Sequence, residues 1–135
     1  MNNFKKLIFK IKMLLFVYGT LMKDLYNHHL LSSALFICKC KTAEKFSLYL
    51  EGSIPYLTNR QQLYHIKGEL YDVSDDIIKE IDKLESEGEW YHRKVIETFD
   101  NTKVYAYFNN KDGVFYDTDD YHFFQEMEFR RLYNS

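Results

Sequence analysis

The stretch MLLFVYGTLMKD, residues 13–24, decides how the fold begins. Its apolar part, residues 14–18, has the length and composition of a strand that is buried on both faces. Gly19 ends this run, because glycine lets the chain turn with little steric penalty and brings backbone N–H groups close to a ligand. The residues that follow begin a turn or a short helix, whose free N–H groups favour an anion. The turn is therefore either a simple connection or a cradle for a carboxylate.

The composition is that of an ordinary globular domain. The 135 residues are 46% hydrophobic and 28% charged, which is enough apolar material for one core. The net charge of −2 lacks the basic balance of proteins that bind nucleic acids. We therefore expect a single domain with no nucleic-acid partner.

The first twelve residues, MNNFKKLIFKIK, have a basic start and an apolar run, like a weak secretory signal. Lys10 and Lys12 interrupt the apolar run, and no cleavage site of small residues follows. We interpret residues 1–12 as an N-terminal extension and residues 13–135 as a single domain. We expect the protein to be cytoplasmic, with no membrane partner.

The cysteines and histidines lack the spacing of a disulfide or a metal site. Cys38 and Cys40 lie two residues apart on a predicted strand, which is poor geometry for a disulfide, and no second pair completes a zinc site. His28 and His29 are adjacent, so on a helix they point about 100° apart. The other histidines are far from each other in the sequence: His65, His92 and His122. We predict no metal and no cofactor.

Strand patterns dominate the middle of the chain. Alternating and β-branched runs predict strands over residues 34–43, 45–51, 63–73, 91–99 and 103–109, the last two forming a hairpin around residues 100–102. Residues 52–58 contain the single proline, Pro55, which favours an edge strand or a bend. Gly68, in the middle of a strand pattern, suggests a β-bulge.

Two segments have the period of a helix. Residues 75–86 follow Ser74, a good N-cap, and place Asp75 and Asp76 in the favourable first turn. Residues 119–133 also look helical, with Phe123, Met127 and Phe124 as the inward residues. The order predicts an α+β fold, in which several short strands form a curled sheet or a small mixed β-barrel flanked by short helices.

Glu85 is an acid on the apolar face of the first helix. It lies seven residues after Ile78 and four after Ile81, so it shares their stripe. Burial and the negative end of the helix would both raise its pKa, and a carboxyl tuned towards neutrality suits general acid–base catalysis. Alternatively, the helix ends early and Glu85 is a solvated acid. The other acids of this region are interpreted as surface charges: Glu69, Asp72, Asp82, Glu87 and Glu89.

Three segments together resemble the gamma-glutamylcyclotransferase-like family. They are FVYGTL (16–21) at the first strand, GELYDV (68–73) at a middle strand, and IDKLE followed by YHRKVIE (81–85 and 91–97). They occur in the family's order, and the match covers roughly residues 14–125. YNHHLL (26–31) and IPYL (54–57) look most like the gamma-glutamylamine cyclotransferase branch.

The resemblance implies roles for particular residues. The loop Tyr18, Gly19, Thr20 and Leu21 would bind the α-carboxylate of the glutamyl group through backbone amides. Glu85 matches the catalytic acid of the family, the general base and acid. The YxR pattern after it gives Tyr91 as a residue that lines the pocket and Arg93 as a structural residue.

The implied reaction is intramolecular: the α-amine attacks the γ-glutamyl carbonyl, gives 5-oxoproline and frees an amine, without metal or cofactor. The substrate would be a small γ-glutamyl amine, and the protein a monomer or weak homodimer. The alternatives are a cyclotransferase for γ-glutamyl dipeptides and a non-catalytic small-molecule binding protein of the same fold. Residues 86–90, SEGEW, depart from relatives that carry glycine directly after the acid, which leaves the leaving group open.

Overall fold

Eight strands form one mixed sheet in this computed structural model, which describes residues 13–51, 54–86, 91–109 and 113–134. The strands are β1 (Leu14–Val17), β2 (Leu35–Lys41), β3 (Ser47–Glu51), β4 (Ile54–Thr58), β5 (Lys67–Asp72), β6 (Tyr91–Glu97), β7 (Lys103–Asn109) and β8 (Val114–Tyr116). Their order is β2-β5-β1-β7-β4-β3-β8, and β6 pairs with β7. The helices are a 3₁₀ helix (His28–Leu31), α1 (Asp75–Ser86) and α2 (Tyr121–Asn134). The sheet curls into a half-barrel, and the predicted α+β class is confirmed.

β7 has three neighbours, and this arrangement opens a gap in the sheet. β6 pairs with β7 along its whole length, from Tyr91↔Asn109 to Glu97↔Lys103. β1 meets β7 in parallel at Leu15↔Tyr105, whereas β4 meets it in parallel at Leu57↔Phe108. These two contacts lie three residues apart on β7, or about 10 Å. β1 and β4 therefore leave β7 at different points, and the end of β1 lies beside the gap between them.

The first strand lies at the centre of the core, as its apolar run predicts. Leu15, Phe16 and Val17 are at most 2% exposed. The helix stripe of Ile78 and Ile81 belongs to the same hydrophobic cluster. The apolar surface that this strand and this stripe remove from water contributes much of the hydrophobic stabilisation of the domain.

The β-bulge predicted at Gly68 is wrong. Gly68 lies in regular β5, and the register shift occurs in the partner strand β2, between Phe36 and Cys38. Gly68 is required for a different reason: an added Cβ would lie 2.3 Å from the carbonyl oxygen of Val17 and 2.6 Å from the ring of Phe16. The glycine marks a close approach of two backbones rather than a bulge.

The prediction that Pro55 marks a sheet edge or bend is also wrong. Pro55 lies in β4, an interior strand between β3 and β7, and pairs with Leu50 of β3. A proline is tolerated there because β4 pairs with β7 only at Leu57, two residues further along. On the side of β7, Pro55 therefore lies outside the ladder.

The inward face predicted for the C-terminal helix is partly wrong. Phe123 is 56% exposed and Met127 is 47% exposed. Tyr121 is buried instead, and Phe124 packs on Tyr116 with ring centroids 4.1 Å apart. Tyr116 belongs to β8, a three-residue strand that the sequence did not indicate.

The predicted hairpin of β6 and β7 and the predicted helix α1 are both confirmed. In the described part of the chain, no helix combines the length and the apolar character that crossing a membrane would require. Cys38 and Cys40 are free thiols. The extension at residues 1–12 lies outside the described residues, and the domain boundary at residue 13 stays a prediction.

Candidate active site

α1 places Glu85 at its last turn. The helix begins after Ser74, whose Oγ accepts a hydrogen bond from the backbone N–H of Ile77 at 3.3 Å. The buried stripe of Ile78 and Ile81 then fixes which face turns inward. Glu85 follows on this face and is half-buried, so the solvated alternative does not apply.

The surroundings of Glu85 raise the pKa of its carboxyl from 4.5 to about 7. Burial is the larger cause, because it disfavours the charged form, and the nearby carboxylate of Asp82 is the second. Glu85 makes no hydrogen bond or ion pair with any residue that the structure describes. The carboxyl is therefore sheltered from solvent and available to a ligand. With a pKa of about 7, it is divided between its charged and neutral forms near neutral pH.

Asp82 keeps part of the exposure that its position on the polar face predicted, with 39% of its side chain exposed. It is half-buried, and its Oδ1 accepts a hydrogen bond from the hydroxyl of Tyr107 at 2.5 Å. The same oxygen lies 3.2 Å from Nε of Arg93. Arg93 thus has the structural role expected of it, since it holds an acid that lies one helical turn before Glu85.

The turn after β1 has free backbone donors. Gly19 and Leu21 are buried and Thr20 is half-buried. Among the described residues, none accepts a hydrogen bond from the backbone N–H groups of these three. Buried N–H groups are rarely left without a partner, so this turn is suited to bind an acceptor such as a carboxylate.

Gly19 is needed at this turn because of the strand opposite. An added Cβ would lie 2.7 Å from Cγ of Pro55, too close for any ordinary contact. The turn itself is held by side-chain and backbone bonds from Asn27, whose Nδ2 donates to Oγ1 of Thr20 and whose N–H donates to the carbonyl of Thr20, both at 2.9 Å. Thr20 therefore positions the turn through its side chain.

The hydroxyl of Tyr18 closes the gap in the sheet. It donates to the carbonyl of Tyr107 in β7 at 2.7 Å and accepts from the N–H of Leu57 in β4 at 3.0 Å. Burial, and then the nearby Glu85, raise the pKa of Tyr18 well above 10. Tyr18 therefore stays neutral and acts as a bridge between strands, with its hydroxyl bonded to the protein.

One small cavity brings most of the predicted site residues together. Glu85, Tyr18, Gly19, Thr20 and Leu21 all line it, although Glu85 and the turn lie more than 60 residues apart in the sequence. Its volume is about 20 Å³, room for about one water molecule. The other residues that line it are Phe16, Val17, Ile54, Pro55 and Tyr107.

Tyr91 lies outside the lining of this cavity. Its ring packs edge-on against Tyr56, with centroids 6.4 Å apart. The segment between Glu85 and Tyr91, in which the sequence departs from its relatives, includes residues 87–90, which lie outside the described residues.

Sequence reasoning missed Asp82 and Tyr107. Asp82 lies three residues before Glu85, which is the spacing of neighbours on a helix surface, and this signal could have identified it. Tyr107 offered no such signal, because it belongs to a different element and reaches Asp82 only through the fold.

A family model described as gamma-glutamyl cyclotransferase, AIG2-like, matches residues 15–128. The chain belongs to this family. The matched region includes β1, the turn after it, and all of α1, and so it contains both sides of the cavity.

Individual relatives agree with the family model. A protein of Methanocaldococcus jannaschii with a provisional gamma-glutamylcyclotransferase name is 35% identical over 112 residues, and the match covers 78% of this chain and 92% of that protein. Gamma-glutamylaminecyclotransferase B of Danio rerio is 35% identical over 95 residues, and the match covers 62% of this chain and 48% of that protein. An AIG2-like protein of Mus musculus has a crystal structure similar to this fold, with a TM-score of 0.67 and 26% identity over 75% of this chain and 79% of that chain. Membership supports a gamma-glutamyl cyclotransferase activity for this chain.

Proposed function

We propose that this protein is a gamma-glutamylamine cyclotransferase in which Glu85 is the general base and acid. The observation that carries the proposal is the single cavity lined by Glu85 and by the turn Gly19, Thr20 and Leu21. The products are 5-oxoproline and a free amine. Tyr18 contributes by holding the turn in place, whereas Tyr91 lies outside the cavity lining and has no role in this proposal.

The free N–H groups of the turn would bind the α-carboxylate of the substrate. They are donors without acceptors among the described residues, and two of the three residues are buried. Once the α-carboxylate is held there, the γ-glutamyl chain can curl so that its α-amine faces its own γ-carbonyl. Holding the two reacting groups together supplies much of the rate enhancement of an intramolecular reaction.

Glu85 would then move the protons that cyclisation requires. As the α-amine attacks, its nitrogen forms a bond with the carbon of the γ-carbonyl and loses a proton to the Glu85 carboxylate. As the tetrahedral intermediate collapses, the bond from that carbon to the leaving nitrogen breaks, and Glu85 returns the proton to that nitrogen. A pKa of about 7 makes both the charged and the neutral form of Glu85 accessible near neutral pH.

A γ-glutamyl amine is the preferred substrate class, and two observations support it. The relative from Danio rerio carries the name of this activity. Ile54 and Pro55, the first two residues of the IPYL segment, line the cavity. The alternative substrate is a γ-glutamyl dipeptide, whose leaving group carries an additional carboxylate.

The test of the base is Glu85→Gln with γ-glutamyl-ε-lysine as substrate and 5-oxoproline as the measured product. We expect turnover to fall by at least about 10²-fold, because proton transfer is lost while the shape of the side chain is kept. Glu80→Gln is the matched control, since Glu80 lies on the same helix, is exposed and pairs with Lys83 at 3.4 Å. Full activity of Glu85→Gln would contradict the assignment.

The test of the substrate class compares γ-glutamyl-ε-lysine with γ-glutamyl dipeptides on the wild-type protein. We expect higher kcat/KM for the amine. A preference for dipeptides would reverse the order of the two substrate classes. Saturable binding of 5-oxoproline without turnover of either substrate would identify a non-catalytic binding protein of the same fold.

A further inference from the structure

A second cavity lies on another part of the sheet and has the size of a ligand site. Its volume is about 830 Å³, within the range typical of sites for small molecules. It is formed by β2 and β5. Residues between 22 and 34, which follow the turn at Gly19, and the start of α2 surround it. It shares no lining residue with the cavity of Glu85.

The floor of this cavity is one face of the pair β2 and β5. Partners in an antiparallel ladder share a face, and alternate residues of β5 share a face with one another. The register shift between Phe36 and Cys38 places the ring of Phe36 on the same face of β2 as Lys39 and Lys41. The successive partners along the floor are Phe36↔Tyr71, Lys39↔Glu69 and Lys41↔Lys67. Rings therefore lie at one end and two lysines at the other, four residues or about 13 Å apart.

The lysines at one end have few anionic partners. Lys41 and Lys67 are directly opposite each other, a like-charge arrangement that is unfavourable in itself. Nζ of Lys41 lies 4.3 Å from the centre of the Phe99 ring, which is outside the cavity lining. Lys67 reaches Asp119 only at 3.8 Å, and both side chains are well exposed. Lys39 makes no ion pair with the described residues, although it lies opposite Glu69. This end of the floor is suited to a phosphate group.

Glu69, in the middle of the floor, is buried and only partly satisfied. It is 6% exposed, and so the expectation of a surface charge is wrong. Its Oε1 accepts hydrogen bonds from the N–H of Lys23 at 2.8 Å and from the hydroxyl of Tyr71 at 3.1 Å. Its Oε2 accepts none from the described residues. A buried carboxylate oxygen that lines a cavity favours a ligand that brings an N–H donor.

The other end of the floor is aromatic. Phe36 and Tyr71 meet edge to face with centroids 5.5 Å apart, and His28 lies 5.9 Å from Tyr71. Phe36 is 49% exposed, so its ring is open to a partner. Flat rings stack well on such side chains.

We propose that this cavity binds a nucleotide whose base carries an exocyclic amino group. The phosphate binds Lys39, Lys41 and Lys67, the amino group donates to Oε2 of Glu69, and the base packs on Phe36. The lysines and the aromatic rings lie at opposite ends of the floor, as the phosphate and the base lie at opposite ends of a nucleotide. The proposal does not depend on the reaction at Glu85, since the two cavities are separate.

The test is calorimetric titration of the full-length protein with two matched pairs, AMP against IMP and CMP against UMP. The members of each pair differ in whether the base carries an amino group or a carbonyl. We expect AMP or CMP to bind with saturation and at least about tenfold more tightly than its partner, because a site built around an acceptor rejects a second acceptor. Inorganic phosphate and the free nucleosides should each bind at least about tenfold more weakly.

The variant Lys39→Ala/Lys67→Ala should lower the affinity at least about tenfold, since charged hydrogen bonds to phosphate are lost. The matched control is Lys79→Ala/Lys103→Ala, which removes two exposed lysines outside the cavity and should change affinity less than twofold. The proposal is overturned if neither AMP nor CMP binds with saturation, if neither is preferred to its partner, or if both double variants bind equally well.

Discussion

At the scale of single residues, Glu85 differs from the other acids of its helix because of what surrounds it. Glu80 is exposed and pairs with Lys83, whereas Glu85 is sheltered and has no such partner among the described residues. Asp82 lies one turn earlier, and its charge adds to the effect of burial on the pKa of Glu85. Tyr107 and Arg93 hold Asp82 in this position.

Asp82→Asn should lower the pKa of Glu85, because it removes the negative charge that disfavours the charged form. The acid-side inflection in the pH profile of kcat/KM, which reports groups of the free enzyme, should then move below its wild-type position near pH 7. Glu80→Gln should leave the inflection where it is. An inflection that stays in place or rises in Asp82→Asn would show that Asp82 has no electrostatic effect on the base.

Glu85→Gln should also change the free energy of unfolding in a pH-dependent way. The pKa of Glu85 is about 7 in the folded protein, against an ordinary value of 4.5. Between these values the folded state holds the proton more tightly than the unfolded state, so the wild type loses stability as the pH rises. The variant has no such proton, and at pH 8 it should be more stable than the wild type by up to about 3 kcal/mol.

Thermal unfolding followed by circular dichroism measures this difference. The gain in Glu85→Gln should shrink as the pH falls through 7 and vanish below about 4.5, where Glu85 is protonated in both states. A gain that is largest in acid would have the wrong sign, and would mean that the carboxylate is stabilised in the folded protein.

At the scale of elements, the site exists because β1 and β4 share one edge of β7. In the described part of the chain, each of these two strands pairs with β7 at one residue. The hydroxyl of Tyr18 bridges the gap between β7 and β4. This bond network holds the strand end from which the turn at Gly19 begins. Pro55 then packs against Gly19 from the opposite side.

Tyr18→Phe should destabilise the protein by about 1–3 kcal/mol, because it leaves the buried N–H of Leu57 without its acceptor. Urea unfolding measures the loss. Tyr26→Phe is the control, since Tyr26 is 85% exposed and should cost less than about 0.5 kcal/mol. Equal stabilities of Tyr18→Phe and the wild type would mean that the gap does not need the hydroxyl.

At the scale of the whole molecule, the cavity of Glu85 is too small for its proposed substrate. A volume of about 20 Å³ holds about one water molecule, so a γ-glutamyl group can enter only if the walls move apart. β4 is the wall that we expect to move, since it pairs with β7 only at Leu57 and its cavity-lining residues Ile54 and Pro55 lie outside that pair. The remainder of the cavity wall belongs to the buried strand β1 with the turn after it, to Tyr107 of β7 and to Glu85 of helix α1.

Binding of 5-oxoproline should therefore change the hydrogen exchange of β4 and of the turn at residues 19–21. Mass spectrometry of the protein with and without 5-oxoproline measures this change at residues 54–58. β8 is the control region, because it does not line the cavity of Glu85. If β4 exchanges at the same rate in both samples while 5-oxoproline binds, another wall opens the site.

Features that depend on neighbouring residues are predictable from the amino-acid sequence alone. Neighbouring residues alone predicted four features: the apolar first strand, the helix cap at Ser74, the apolar stripe of α1 and the alternating hairpin. The structure contains all four. The same periodicity predicted the inward face of Glu85. The motifs of the family also identified the turn at residues 18–21 before any geometry was known.

Which segment covers each element depends on the packing of distant parts of the chain. Asp82 and Glu69 were assigned to the surface because each is polar on its own element. Tyr107 binds Asp82 and covers it in part, whereas β2 and Lys23 cover Glu69. Pro55 is tolerated inside the sheet because the neighbouring strand β7 pairs with β4 only at Leu57, two residues after Pro55. Periodicity reports how a residue faces its own helix or strand, whereas burial depends on which distant segment packs there. Glu85 and Gly19 line one cavity because two distant segments pack together, which periodicity does not report.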